Sequence, residues 1–187
     1  MEIDINQRKI SLGDKYDVYL DGKPSYTASS KLFRLFPEIY LFELGISKPK
    51  YVIKKRISFF RVAFDLLSPD DEVHHFRTIK YWKGHFYCQI GQDYYEVFAH
   101  KGRKYSVYKN DTQIAWWHKE AVSWFNGDNY KIIADFGNDT ERIISFCLII
   151  DNAFSSSNNN STVTIDFGQV WSGVKQFDTS WKPKQSQ

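Results

Sequence analysis

A run of apolar residues near the end of the chain, residues 143–150, constrains the fold more than any other stretch. Only Ser145 is polar within these eight residues. Asn138, Asp139 or Thr140 can cap a helix that begins just before the run. Because more than two helical turns are apolar all round, such a helix must be buried on every side. A β-strand in the core is the alternative, since isoleucine favours strands.

The composition favours a single soluble domain rich in β-structure. The chain has 187 residues, which suits one domain, and 18% of them are aromatic, which suits pleated, half-buried surfaces. Cys88 and Cys147 lie in apolar sequence, which indicates buried free thiols in a reducing compartment, with one disulfide as the alternative. No basic stretch followed by an apolar run opens the chain, and no stretch is long enough for a transmembrane segment. The expected location is the cytoplasm, with peripheral attachment to a membrane as a further option.

Short alternating runs separated by turn signals fill the chain before the apolar run. They predict about a dozen strands at a spacing of about 8–12 residues. The connections are short, so neighbours in sequence should pair as antiparallel neighbours. The predicted strands are residues 2–10, 16–20, 25–27, 32–44, 51–53, 57–67, 73–81, 85–90, 94–99, 104–108, 113–117, 122–125 and 130–136, with a further candidate at residues 162–167.

This order of elements predicts an all-β fold with one buried helix. A barrel of about twelve strands leaves an interior wide enough for a helix, which is about 10–12 Å across. The predicted fold is an antiparallel meander barrel that encloses a central hydrophobic helix, in a single domain of residues 1–187. Residues 155–187 form a partly flexible C-terminal extension, in which Trp171, Phe177 and Trp181 are the predicted anchors and residues 183–187 a frayed end.

The order of elements, together with the helix segment 139–154, resembles the tubby C-terminal-like superfamily, which includes the LURP-one-related proteins and the phospholipid scramblases. Residues 51–60 are similar to an early strand pair of that superfamily. The resemblance implies a twelve-stranded barrel around a helix, with the barrel strands between about residues 31 and 136. It also implies that a basic face of the barrel binds anionic phospholipid headgroups, without assigning the ligand residues one by one.

No catalytic or metal-binding motif stands out in the sequence. No nucleophile elbow, phosphate-binding glycine loop or zinc-ligand spacing is present, so no catalytic residue, metal or cofactor is predicted. His74 and His75 are adjacent and would point to opposite faces of a strand, as would Trp116 and Trp117. One of these two tryptophans is expected in the core and the other on the surface. Tryptophans beside lysines suit base stacking, and the candidates are Trp82, Trp116, Trp117 and Trp124. The evenly spread charge disfavours nucleic acid.

Clusters of cations are the strongest functional signal in the chain, which carries a net charge of +3. The first cluster consists of Lys48, Lys50, Lys54, Lys55 and Arg56, with Arg61 beyond. The second consists of Lys101, Arg103 and Lys104. A solvated surface is one interpretation, and a site for anionic headgroups is the other. The predicted function is a non-enzymatic binding or scaffold module for an anionic phospholipid surface or for protein partners. The alternative is a barrel that binds a small ligand or has enzymatic activity.

Overall fold

The structure, a computed structural model, describes residues 1–10, 13–31, 38–58, 62–80, 84–120, 128–137, 139–155 and 174–185. Within these ranges the chain forms twelve β-strands followed by one α-helix, α1 (Thr140–Ser155). The strands are β1 (Glu2–Ile10), β2 (Gly13–Leu20), β3 (Lys23–Lys31), β4 (Glu38–Glu43), β5 (Tyr51–Lys55), β6 (Ala63–Leu67), β7 (Val73–Lys80), β8 (His85–Ile90), β9 (Asp93–His100), β10 (Lys104–Lys109), β11 (Thr112–Lys119) and β12 (Asn129–Ala134).

The strands form a closed antiparallel barrel in which each strand pairs with its neighbours in sequence. The barrel closes where β1 pairs with β12, with Ile3 opposite Ile132 and Ile5 opposite Tyr130. The predicted meander barrel is therefore confirmed. The strands predicted at residues 122–125 and 162–167 lie outside the described residues, as does the first part of the run at residues 32–44.

Tight turns set the register of two hairpins. Asp21 and Gly22 connect β2 to β3 and both have positive φ, at 46° and 76°. Asn110 and Asp111 connect β10 to β11 with φ of 48° and 64°. Positive φ at both central residues matches the right-handed twist of the flanking strands, and glycine, asparagine and aspartate tolerate it best. These turn residues explain why the alternating runs on either side pair with each other.

The barrel has two ends that differ in what they carry. We call the end with Met1, the start of α1 and the turns after the even-numbered strands the top, and the opposite end the bottom. Odd-numbered strands run from top to bottom and even-numbered strands return. The helix also runs from top to bottom, because Arg142 contacts Tyr95 near the start of β9 whereas Asp151 contacts Tyr130 near the start of β12.

Helix α1 lies inside the barrel. All eight residues from 143 to 150 have an exposed fraction of 3% or less, so the prediction of a helix buried on every side is confirmed. The ring of Phe146 packs 5.4 Å from that of Phe76 on β7 and 5.6 Å from that of Tyr95 on β9, between centroids. On another side of the helix, Glu141 accepts a 3.0 Å hydrogen bond from the hydroxyl of Tyr26 on β3.

Hydrogen-bonded carboxylates fix both ends of the helix. At the top, the carboxylate of Asp139 accepts hydrogen bonds from the Tyr95 hydroxyl at 2.6 Å, from Arg142 at 2.7 Å and from the Lys109 ammonium at 3.2 Å. At the bottom, the buried carboxylate of Asp151 accepts from the hydroxyls of two barrel tyrosines. These donors are Tyr16, at 2.9 Å, and Tyr130.

The described C-terminal segment, residues 174–185, packs on the outside of the barrel. Phe177 contacts the ring of Trp116 on β11, with 5.5 Å between centroids. The indole N–H of Trp181 donates to the carbonyl of Gln113 at 3.0 Å. The backbone N–H of Lys184 donates to Asp135 at 2.6 Å, so the chain is attached beyond the point where the sequence predicts fraying. Phe177 and Trp181 are anchors as predicted, whereas Trp171 lies outside the described residues.

Candidate anion-binding surface

The bottom of the barrel carries an arc of cations, which we call the basic rim. The rim residues lie in the bottom halves of β5 and β7, directly after β5 and β9, or at the start of β10. They are Lys54, Lys55, Arg56, Arg77, Lys80, Lys101, Arg103 and Lys104. Strands β5 to β10 are consecutive neighbours in the barrel, so the arc covers five strand spacings, or about 24 Å.

The turns at the top have the opposite character. They carry the acidic residues Asp21, Glu43, Asp70, Asp71, Glu72, Asp93, Asp111 and Asp135. Acidic side chains therefore predominate in the top turns, which also carry Lys23, Lys48 and Lys50, whereas cations predominate on the basic rim. The net charge of the chain is only +3. Helix α1 has the matching polarity, since its N-terminus faces the acidic top and its C-terminus faces the basic bottom.

Part of the rim is already neutralised by carboxylates. On the outer surface, Arg56 lies 3.5 Å from the carboxylate of Asp65, between nitrogen and oxygen. The same oxygen is 2.7 Å from Nδ1 of His75, which lies 3.2 Å from Arg56. Lys54 approaches Glu38 only to 3.9 Å. These contacts hold the two basic side chains against the sheet and reduce the charge that they offer to a ligand.

Three other rim cations keep their charge for a ligand. Lys80, Lys101 and Arg103 are exposed, and none of them pairs with a carboxylate among the described residues. Arg103 and Gly102 form the turn between β9 and β10 with φ of 58° and 75°. The guanidinium of Arg77 lies 5.8 Å from the centre of the Tyr87 ring, a cation–π contact that supports the side chain without neutralising it.

The structure separates the five cations of the first predicted cluster. Lys54, Lys55 and Arg56 lie at the bottom, on the basic rim, whereas Lys48 and Lys50 lie at the top, in the connection between β4 and β5. Strand β5 stands between the two groups and is about 16 Å long. One flat anionic surface cannot contact both groups closely.

The two top lysines already have partners. The ammonium of Lys48 donates to the carbonyl of Pro69 at 2.9 Å, and that of Lys50 lies 2.8 Å from the carboxylate of Glu43. The hydrogen bond to Glu43 raises the pKa of Lys50. In contrast, the second predicted cluster, Lys101 with Arg103 and Lys104, joins the rim.

Arg77 and Lys80 were missed as rim residues by the sequence analysis, because neither lies in a charge cluster. A signal for them does exist in the order of elements. In a meander every odd-numbered strand ends at the same side of the sheet, so cations that end β5, β7 and β9 must share one end of the barrel. Arg61 lies outside the described residues.

The other candidates from the sequence occupy structural positions. His74 is buried and His75 exposed, as expected for opposite strand faces. Trp117 is fully buried in the core, whereas Trp116 lies on the outer surface. Trp82 and Trp124 lie outside the described residues. No three metal-binding side chains come together within the part of the chain that the structure describes.

Both cysteines are free and buried, in agreement with the preferred interpretation of the sequence. Burial raises the pKa of Cys88 to about 12 and that of Cys147 well above its usual value. A thiol held protonated in this way is a poor nucleophile and a poor metal ligand. The two cysteines therefore act as small apolar side chains in the core.

The basic rim can bind anions on an open surface, without enclosing them. Exposed ammonium and guanidinium groups suit phosphate oxygens, and the guanidinium can bind two of them at once.

In the described ranges, no helix has the length and hydropathy that crossing a bilayer requires. Comparisons of the chain with family models, with curated proteins and with solved structures found no match.

Proposed function

We propose that the protein is a non-enzymatic binding module that places its basic rim against an anionic phospholipid surface. The observation that carries this proposal is the gathering of cations at one end of the barrel, where Lys80, Lys101 and Arg103 are exposed and have no carboxylate partner among the described residues. A basic side chain near an anionic membrane contributes about 1 kcal/mol. The three to six rim cations other than Lys54 and Arg56 therefore supply about 3–6 kcal/mol, which is enough for reversible binding.

Screening of charge by salt determines which end of the barrel faces the membrane. The Debye length at physiological ionic strength is about 8 Å, which is shorter than the barrel, so only the end that faces the membrane contributes. With the bottom toward the membrane, the acidic turns stay in bulk solution. With the top toward the membrane, Asp70, Asp71 and Glu72 would be repelled. We therefore expect the protein to bind with its basic rim toward the membrane and with the axis of α1 close to the membrane normal.

Sedimentation with liposomes tests this function. The vesicles contain phosphatidylcholine alone, with phosphatidylserine, or with a phosphoinositide, at low and physiological salt. We expect co-sedimentation only with the anionic vesicles, and we expect added salt to weaken it. Dependence on the phosphoinositide at equal vesicle charge would identify the headgroup, whereas equal binding to both anionic vesicles would identify the surface charge.

Two matched double variants decide which cations act. Lys80→Glu with Lys101→Glu changes the rim, and Lys48→Glu with Lys50→Glu changes the top by the same net charge. We expect the rim variant to bind anionic vesicles at least about tenfold more weakly and the top variant to bind like the wild type. Equal losses in both variants would show that net charge alone drives binding. Absence of binding by the wild type at low salt would refute the proposed function.

A further inference from the structure

The outer surface of β9, β10 and β11 carries aromatic side chains that the described C-terminal segment covers. Phe98 and Tyr108 stand edge to face, 5.5 Å apart at an interplanar angle of 86°. The ammonium of Lys175 lies 3.5 Å from the centre of the Tyr108 ring and 5.4 Å from that of Phe98. Two ring faces at right angles around one cation form a partial aromatic cage.

A second recognition position lies beside this cage. Phe177 contacts the rings of Trp116 at 5.5 Å and His100 at 5.2 Å, both between centroids. The ammonium of Lys104 lies 5.1 Å from the centre of the Phe177 ring. An aromatic side chain is therefore held between two rings and a cation, an arrangement that an aliphatic side chain would not satisfy equally.

A third position binds an indole. Trp181 donates its ring N–H to the carbonyl of Gln113 at 3.0 Å. The three contacts follow one linear pattern, with a lysine, an aromatic residue two positions later and a tryptophan four positions after that. The residues between them, Gln176 and those at 178–180, are exposed, so the surface recognises three side chains of a short peptide.

The attachment relies on side chains more than on the backbone. The segment has no regular secondary structure, and among its described residues only Lys184 exchanges backbone hydrogen bonds with the barrel end, at Asp135 and Phe136. Binding of this kind is easier to exchange than a strand held in a hydrogen-bonded ladder. A peptide of the same pattern could make each of the three contacts.

We propose that this outer surface is a peptide-binding groove and that residues 174–185 are its intramolecular ligand. The partner is a protein segment with the same chemistry: a lysine, an aromatic residue at the second position after it and a tryptophan at the sixth. An intramolecular ligand acts at a high effective concentration, so the partner binds measurably only when it displaces the segment. The groove shares Lys104 with the basic rim, but its other contacts lie on the outer surface of β9, β10 and β11, and the inference does not depend on membrane binding.

A labelled peptide with the sequence of residues 174–185 tests the groove on the full chain. In the variant Lys175→Ala, Phe177→Ala, Trp181→Ala the internal ligand is weakened and the groove is intact. We expect fluorescence anisotropy to show at least about tenfold tighter binding of the peptide to this variant than to the wild type. A control peptide with the same three alanine changes should not bind either protein. Equal affinity of the two proteins, or binding of the control peptide, would overturn the inference.

The indole N–H resonance of Trp181 gives a second measurement, in case the triple variant fails to fold. Excess unlabelled peptide added to the ¹⁵N-labelled wild type should move the Trp181 indole signal toward its value in water and should shift that of Trp116. No change in either signal at saturating peptide would contradict the proposal. A wild-type dimer that Phe177→Ala dissociates, measured by light scattering, would overturn the assignment to a separate partner and show exchange between copies.

Discussion

At the scale of single residues, His100 links the barrel to the C-terminal segment. Its Nε2 lies 2.7 Å from the hydroxyl of Ser106, and Phe177 packs on its ring. Burial, reinforced by the nearby charge of Lys104, lowers the pKa of His100 to about 4. Between pH 4 and pH 6.5 the unfolded chain therefore holds a proton on this histidine that the folded chain does not hold.

This shift predicts that acid weakens the fold through His100. The contribution is complete above about pH 6.5 and declines as the pH falls toward 4, to a total of about 2 kcal/mol after discounting for partial exposure. His100→Gln keeps a hydrogen-bonding group but does not titrate. Urea unfolding across this range should show a shallower loss of unfolding free energy in the variant. Parallel curves for the variant and the wild type would contradict the prediction.

Asp139 is a second residue whose charge the fold uses. Burial alone would raise its pKa, but the hydrogen bonds from Tyr95, Arg142 and Lys109 outweigh burial and lower it. A lowered carboxyl pKa contributes stability above the unfolded value, near 3.8, and the contribution is lost as the pH falls through the folded value. The contribution of the Asp139 carboxylate to stability is therefore complete at neutral pH and is lost only in strong acid.

Asp139→Asn keeps the shape of the side chain and removes its charge. We expect the free energy of unfolding at pH 7 to fall by about 1–3 kcal/mol, because Arg142 and Lys109 lose a partly buried counter-charge. The control is Asp70→Asn, in the exposed turn after β6, which should change stability by less than about 0.5 kcal/mol. Similar unfolding midpoints in urea for the two variants would show that the Asp139 cluster is not stabilising.

At the scale of elements, helix α1 serves as the core of the barrel. Its apolar side chains face strands on opposite sides, and their burial contributes on the order of 10–20 kcal/mol before chain entropy is counted. A charged side chain introduced at the centre of this element would be removed from water, which is costly. The surface of the barrel, in contrast, accepts single changes with little effect.

Two isoleucine-to-lysine changes test this difference. Ile149 is fully buried on the helix, whereas Ile79 is 47% exposed on the outside of β7. We expect Ile149→Lys to abolish cooperative thermal unfolding, as Cys147→Lys should at the neighbouring buried position, and Ile79→Lys to change stability by less than about 1 kcal/mol. A normal melting temperature for Ile149→Lys, measured by circular dichroism, would show that the helix is not enclosed.

The elements could be predicted from the sequence because each has a local cause. A helix surrounded by strands must be apolar all round, and residues 143–150 are. Alternating runs beside Asp21 and Gly22 predict a hairpin because that turn needs positive φ. The candidate surface depends instead on strand order, which brings Arg77 and Lys80 to the same end of the barrel as Lys101 and separates Lys50 from Lys54. The attachment of Trp181 could not be placed in advance, because a backbone carbonyl such as that of Gln113 leaves no signal in the sequence.

At the scale of the whole molecule, closure of the barrel removes the free sheet edges. Both edges of β1 are paired, with β2 on one side and β12 on the other. A strand at the start of a chain would otherwise fray and present unpaired backbone groups to other molecules. The pairing of the first strand with the last makes the stability of β1 depend on the complete barrel.

Hydrogen exchange measures this closure. The paired backbone amides of Ile3 and Ile5 should be protected about as strongly as those in the middle of β9, because both open only with global unfolding. Substituting Tyr130 with proline would remove the backbone N–H opposite Ile5 and should lower protection in both β1 and β12. Fast exchange of the β1 amides in the wild type would show that the barrel opens at the β1–β12 seam.

The position of the helix at the barrel centre has a consequence for biosynthesis. Residues 140–155 fill the interior, yet they leave the ribosome after all twelve strands. At about 5–20 residues per second, synthesis of the helix alone takes about 1–3 s. During this time the inward-facing side chains of the nascent strands have no core to pack against. Cellular folding of this protein should therefore finish after translation, with chaperones shielding an open, apolar sheet until the helix arrives.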